Sequence, residues 1–98
     1  MLYLACYDIE HDRIRQRVAG RLLTLGLERI QYSVFVGTLS PTQHEQLLAW
    51  AQQQLQKKPS DKFLVLPLDQ YSIQNAEHVG ESPPDWDYHL GNLHVLIV

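Results

Sequence analysis

Cysteine is nearly absent from this chain: Cys6 is the single one. No disulfide can close within the chain, no thiolate-rich metal centre can be built, and in a strand Cys6 reads as a small buried hydrophobe. Long hydrophobic runs are also lacking. The apolar stretch from Met1 to Tyr7 has no basic flank before it and falls far short of the roughly 20 residues of a membrane span. It does not read as a secretory leader either, so a cytoplasmic protein without membrane contact is expected. The five histidines (His11, His44, His78, His89, His94) show no HxH or HxxxH spacing, which argues against a transition-metal site. Ser33 has no Gly-x-Ser-x-Gly setting, so nucleophilic catalysis finds no support. No internal repeat is visible.

Positive charge is missing from everything beyond Lys62, where Asp69, Glu77, Glu81, Asp85 and Asp87 stand alone. The formal net charge of −3 and the pI near 5.9 would by themselves exclude most nucleic-acid binders. The distribution reverses that reading. Residues 12–29 hold Arg13, Arg15, Arg17, Arg21 and Arg29 against Asp12 and Glu28, a local net charge of +3. Screening confines charge effects to roughly 10 Å at physiological salt, so a basic face can concentrate a polyanion despite a negative total.

What is present is ordinary globular material: 45% hydrophobic and 19% charged residues over 98 positions. That length supports one compact domain and not two. The expected layout is a single domain over 1–98, with a core at 1–71, an acidic loop at 72–92 and a terminal strand at 93–98. Leu2, Leu4 and Cys6 alternate with Tyr3, Ala5 and Tyr7, both sets largely apolar, as in a strand covered on both faces. Asp12 is placed to cap a helix running to about Leu25, in which Ile14, Val18, Leu22 and Leu25 recur at helical spacing before Gly26. Glu28 to Gly37 is rich in Ile, Tyr, Val and Phe. It fits one bent strand or a hairpin folded near Gln31-Tyr32-Ser33, and no Asn-Gly turn decides between them. Ser40-Pro41-Thr42-Gln43 is a capping box with a helix-starting proline. His44, Leu47, Leu48, Ala51 and Leu55 then line a helix to about Gln56, broken by Lys57-Lys58-Pro59. Phe63 to Leu68 reads as a further strand.

This order predicts an α+β, ferredoxin-like βαββαβ fold with an additional short C-terminal strand. Both helices would lie on one sheet face. The other face is expected to carry apolar residues such as Tyr3, Tyr7 and Val65 and to be buried in a homodimer, with the terminal strand pairing with the partner chain. Trp50 and Trp86 read as packing or partner-anchoring groups.

Chemistry concentrates early in the chain. Tyr7-Asp8-Ile9 marks the point where the first strand gives way to polar residues, and ligand sites collect at strand ends in open sheets. Arg13, Arg17 and Arg21 are four apart and form one row on the first helix, with Arg15 on a different side. A row of like charges without an intervening Glu is either a solvated face or a phosphate-binding surface. A carboxylate beside such guanidinium groups suits a phosphodiester, because Asp8 is a hard oxygen ligand for Mg²⁺. Near a dyad, Asp8 from each of two chains would supply the pair of carboxylates that one chain lacks. Asp8, Glu10 and Asp12 also read simply as turn and cap residues, and His11 as an exposed loop residue near enough in sequence to Asp8 to shuttle a proton.

Tyr7-Asp8-Ile9, the stretch from Asp12-Arg13 to Arg17-Val18, and Gly26-Leu27-Glu28-Arg29-Ile30-Gln31-Tyr32-Ser33-Val34-Phe35-Val36-Gly37 closely resemble the CRISPR-associated protein 2 family, the small adaptation protein. The resemblance implies a ferredoxin-like homodimer that acts in spacer acquisition as a metal-dependent endonuclease on RNA or DNA phosphodiesters and as a partner of the CRISPR integrase. It equally allows a non-catalytic scaffold that bridges integrase dimers on DNA. Carried onto this sequence, it makes Asp8 the metal ligand, one from each protomer around a shared Mg²⁺. It ties Tyr7, Arg15, Arg17, Arg29, Ser33 and Phe35 to the nuclease site. Arg13, Arg15, Arg17 and Arg21 are the expected nucleic-acid contacts. The acidic tail with Pro83-Pro84 is not part of the family pattern.

Overall fold

Strand β1 (Leu2–Asp8) is the axis of the molecule, a computed structural model that describes residues 1–81 and 83–89. It is followed by α1 (Asp12–Thr24), β2 (Glu28–Gln31), β3 (Val34–Thr38), α2 (Pro41–Gln54), β4 (Lys62–Leu68) and two short helices, α3 (Gln70–Gln74) and α4 (Trp86–His89). The strands form one antiparallel sheet in the order β2-β3-β1-β4, the ferredoxin-like arrangement expected from the sequence. The expected terminal strand at 93–98 lies outside the described residues.

Local chemistry explains the boundaries. α1 is capped by His11, whose Nδ1 accepts from the Arg13 amide at 3.2 Å, rather than by Asp12. Asp12 is instead the first helical residue, with its carboxylate drawn onto Arg15. The helix ends in a Schellman arrangement: Gly26 has φ +91°, its amide donates to Leu23 O at 3.0 Å, and the Leu27 amide donates to Leu22 O at 3.1 Å. Glycine at this left-handed position carries no Cβ penalty. Glu28–Thr38 is a hairpin, not a bent strand. Its Tyr32-Ser33 turn has no residue with positive φ, so it lacks the backbone of the primed turns that usually match strand twist; a bulge between Arg29 and Gln31 interrupts the register instead. Bulges increase local twist and thereby close such a hairpin. α2 has the full capping box: Ser40 Oγ accepts from the Gln43 amide at 3.1 Å and Gln43 Oε1 from the Ser40 amide at 2.9 Å.

The core lies between one face of the sheet and α1 and α2. Tyr3, Ala5, Tyr7, Phe35, Phe63 and Val65 meet Val18, Ala19, Leu22 and Leu47 there. This reverses one expectation, because Tyr3, Tyr7 and Val65 belong to the helix-covered face and not to the open one. Strand periodicity separates the two residue sets but does not say which set faces which way. The open face is carried by the other parity. Leu4 stands opposite Val36 and Leu66, and Cys6 opposite Val34 and Leu64.

The stretch expected as an acidic loop, 72–92, overlaps the end of α3 and contains α4, and these two helices cover one end of that open face. Ile73 packs with Leu2 and Val36, joined by Ile30, Leu68 and Trp86. His89, buried, lies 2.6 Å from Glu28 Oε1. Asp69 caps α3 by accepting from the Ser72 amide at 2.7 Å, and that bond holds its carboxyl below the usual range. At the other end of the face Leu64 and Leu66 remain about half exposed.

Candidate functional site

Asp8 ends β1 on the open-face parity, exposed, with Lys62 as its register partner on β4. Among the described residues it forms no ion pair. Its neighbour Tyr7 points the other way, into the core, with its ring 6.1 Å from that of Phe35 and its amide donating to Ser33 O at 3.2 Å. Arg29, opposite Phe35 in the β2–β3 ladder, lays its guanidinium over the Phe35 ring at 4.9 Å and near the Tyr32 ring at 5.6 Å. Tyr7, Phe35, Ser33 and Arg29 are thus one contiguous group, and Asp8 lies on the opposite side of the sheet, adjoining them only at the strand end.

Arg15 bridges the two. Its Nη1 donates to Ile9 O at 2.9 Å and to Glu10 O at 3.2 Å, and its Nη2 binds the Asp12 carboxylate. These bonds pin the turn directly after Asp8. Partial burial works against the charge of Arg15, but Asp12 and the Tyr32 side chain outweigh it, so the guanidinium is held above its ordinary value. With three acceptors already engaged, Arg15 is built to fix the loop as much as to meet a ligand. Arg15 and Arg29 share a cleft of about 300 Å³ with Tyr7, Ala19, Gly20 and Tyr32.

The arginine row lies elsewhere. Arg17 Nη1 donates to Gln54 Oε1 at 2.7 Å, and the Arg21 guanidinium stacks 4.5 Å from the Trp50 ring. Both stitch α1 to α2, which answers how a Glu-free row of like charges is tolerated: its partners come from α2, 37 and 29 residues away in the chain, beyond what helical spacing reveals. Arg13 is exposed beside the Lys57-Lys58 loop, sharing with it a cleft of about 760 Å³. The geometry therefore joins Tyr7, Arg15, Arg29, Ser33 and Phe35 and sets Arg13, Arg17 and Arg21 apart. Tyr32, Gly20 and Lys62 escaped the sequence reading; an interior helical glycine was the one available signal, since it costs helix stability unless something requires it.

The family model for CRISPR associated protein Cas2 matches residues 1–76. The chain belongs to the Cas2 family. It is similar to the CRISPR-associated endoribonuclease Cas2 2 of Pyrobaculum aerophilum, with 34% identity over 84 residues that span 86% of this chain and 91% of that one. Among solved structures, a hypothetical protein from Thermus thermophilus superimposes with a TM-score of 0.71 at 31% identity, covering 85% of this chain and 94% of that one. A chain of a partial Cas6-RT-Cas1–Cas2 complex matches with a TM-score of 0.67 at 25% identity, covering 80% and 89%. The group around Tyr7, Arg15 and Arg29 lies wholly within the part that the Cas2 model matches. Among the described residues no helix is long and apolar enough to cross a membrane.

Proposed function

We propose that this Cas2-family protein is a metal-dependent endonuclease acting on RNA or DNA phosphodiesters, working in CRISPR spacer acquisition beside the integrase. The observation that carries the reading is Asp8: an exposed carboxylate without an ion-pair partner among the described residues, at the end of β1, one residue from a cleft that presents Arg15 and Arg29. Relatives named as endoribonucleases support the reaction class.

The residues fit Mg²⁺ as half a site. No group of three metal-ligating side chains exists among the described residues, but Mg²⁺ is commonly held by one or two carboxylates plus waters and substrate phosphates. Two copies meeting through the half-exposed Leu64–Leu66 region of the open face would bring two Asp8 side chains toward a common axis. Bound between them, the ion would polarise a phosphoryl oxygen and lower the pKa of a bound water. The chain's own residues do the rest. Arg29, which makes no ion pair among the described residues and lies over the Phe35 ring, can meet developing charge on the phosphate. Arg15 is a positioning residue that holds the Ile9–Glu10 turn and hence Asp8. Ser33 contributes its carbonyl, which locks the hairpin to β1, and Arg17 acts from outside this group.

A second reading rests on a different observation, the likeness to a chain of a Cas1–Cas2 complex. There the protein is a scaffold that grips duplex DNA between integrase dimers through Arg13, Arg17 and Arg21, without base readout.

One experiment separates them: labelled RNA and duplex DNA incubated with wild type and Asp8→Ala, with and without Mg²⁺ and integrase, scored for cleavage and for integration. Asp8 is exposed and outside the core, so the variant keeps its fold by circular dichroism. Cleavage falling to background in Asp8→Ala and without Mg²⁺ is the expected result; cleavage retained in the variant overturns the nuclease assignment. Integration surviving in Asp8→Ala supports the scaffold reading.

A further inference from the structure

The cleft between α1 and the β2–β3 turn has two features that the fold does not use. Gly20 sits in the interior of α1, where glycine is a poor helix former relative to alanine. A Cβ built there meets nothing within 4 Å, so no neighbour among the described residues demands a glycine. Its effect is to leave a strip of helix bare on the cleft wall. Tyr7, on the same cleft, is only 6% exposed, and its Oη is the one buried side-chain polar atom without a partner among the described residues. A buried hydroxyl without a partner is costly unless something supplies the missing bond. At the edge of the cleft Tyr32 is 71% exposed, with the Arg29 guanidinium beside its ring.

These features describe a receptor for a flat, polar-edged ring attached to an anion. Tyr32 offers a stacking face, the bare helix at Gly20 allows close approach, Tyr7 Oη can pair with a ring carbonyl or amine, and Arg29 can take a phosphate. At about 300 Å³ the cleft is at the small end of ligand sites, a volume suited to a single base.

We propose that this cleft binds one unpaired nucleobase of a single-stranded RNA or DNA segment, so that the nucleic acid is unstacked next to the Asp8 site. The inference rests on the nucleic-acid reading above and adds the state of the substrate at the site. It makes Tyr7 and Tyr32 base-binding residues and Gly20 the residue that keeps the cleft open.

The test compares two short oligonucleotides of abasic sugar-phosphate units, one carrying a single central 2-aminopurine and one carrying no base, titrated onto the full chain without divalent metal at fixed salt. The base-bearing strand is expected to bind about tenfold more tightly, with quenching of its fluorescence as the ring stacks. Gly20→Leu is expected to erase that preference, leave binding of the fully abasic strand unchanged and raise the melting temperature, because leucine is the better helix former. Tyr7→Phe is expected to weaken the preference without lowering the melting temperature. Equal affinity for the two strands in wild type overturns the base cleft while the phosphate-binding reading stands. A preference that survives Gly20→Leu overturns the assignment to this cleft. If neither strand binds, the nucleic-acid reading itself fails and the cleft assignment falls with it.

Discussion

At the scale of single residues, close approach explains more of this chain than composition does. Gly37 is the clearest case. It is buried in β3 opposite Tyr3, and a Cβ there would lie 2.8 Å from Leu27 Cγ and 2.9 Å from Leu27 Cα. The clash is partly with backbone, which a rotamer change cannot relieve, so Gly37→Ala is expected to destabilise the fold by about 1–3 kcal/mol. Chemical denaturation with an unchanged m-value checks this; stability equal to wild type would show that Leu27 and the start of β2 can move. The same scale shows where sequence reasoning stopped. Asp8, Tyr7 and Arg29 were legible as candidates, because residue type and the family pattern mark them. That Arg17 bonds Gln54 and Arg21 stacks on Trp50 was not, because those partners belong to another helix.

At the scale of elements, caps and turns did most of the specifying. The Ser40–Gln43 box was readable in full because all its partners lie within four residues. Ser40→Ala is expected to cost about 1 kcal/mol, lowering the melting temperature by roughly 4–8 °C at constant protein concentration. A shift below the resolution of the scan would mean that tertiary contacts alone hold the first turn of α2. The Gly26 stop was equally local. The hairpin was left open in the sequence because its turn lacks the usual residues and is completed by a bulge and by the Ser33 carbonyl bond to β1, a partner 26 positions earlier. His11 replaced Asp12 as the cap for a related reason: Arg15 takes the Asp12 carboxylate, leaving the imidazole to meet the Arg13 amide.

At the scale of the whole molecule, the sheet has one face sealed by α1 and α2 and one that, among the described residues, is sealed only at the end where α3 and α4 dock. Leu64 and Leu66, 49% and 45% exposed, mark the part left open, and neighbouring apolar groups of this kind signal an association surface. If two copies pair there, Leu66→Glu places a charge in the seam; it is expected to shift the protein to monomer in sedimentation equilibrium and to abolish Asp8-dependent cleavage together. A dimer that persists would place the interface elsewhere. By itself the sequence determined the order of the four strands and two long helices, the capping box of α2 and the Gly26 stop of α1, the split of each strand into two residue sets and the early cluster of Asp8 and arginines, because each depends on neighbours within a few positions or on a recognisable pattern. Only the tertiary structure decided which strand face meets the helices, which arginines contact α2, and that Asp8 and the Tyr7–Arg29 group lie on opposite sides of one sheet. Those outcomes depend on the sign of a side chain's direction across long-range pairings, and a period of two is the same whichever way it points.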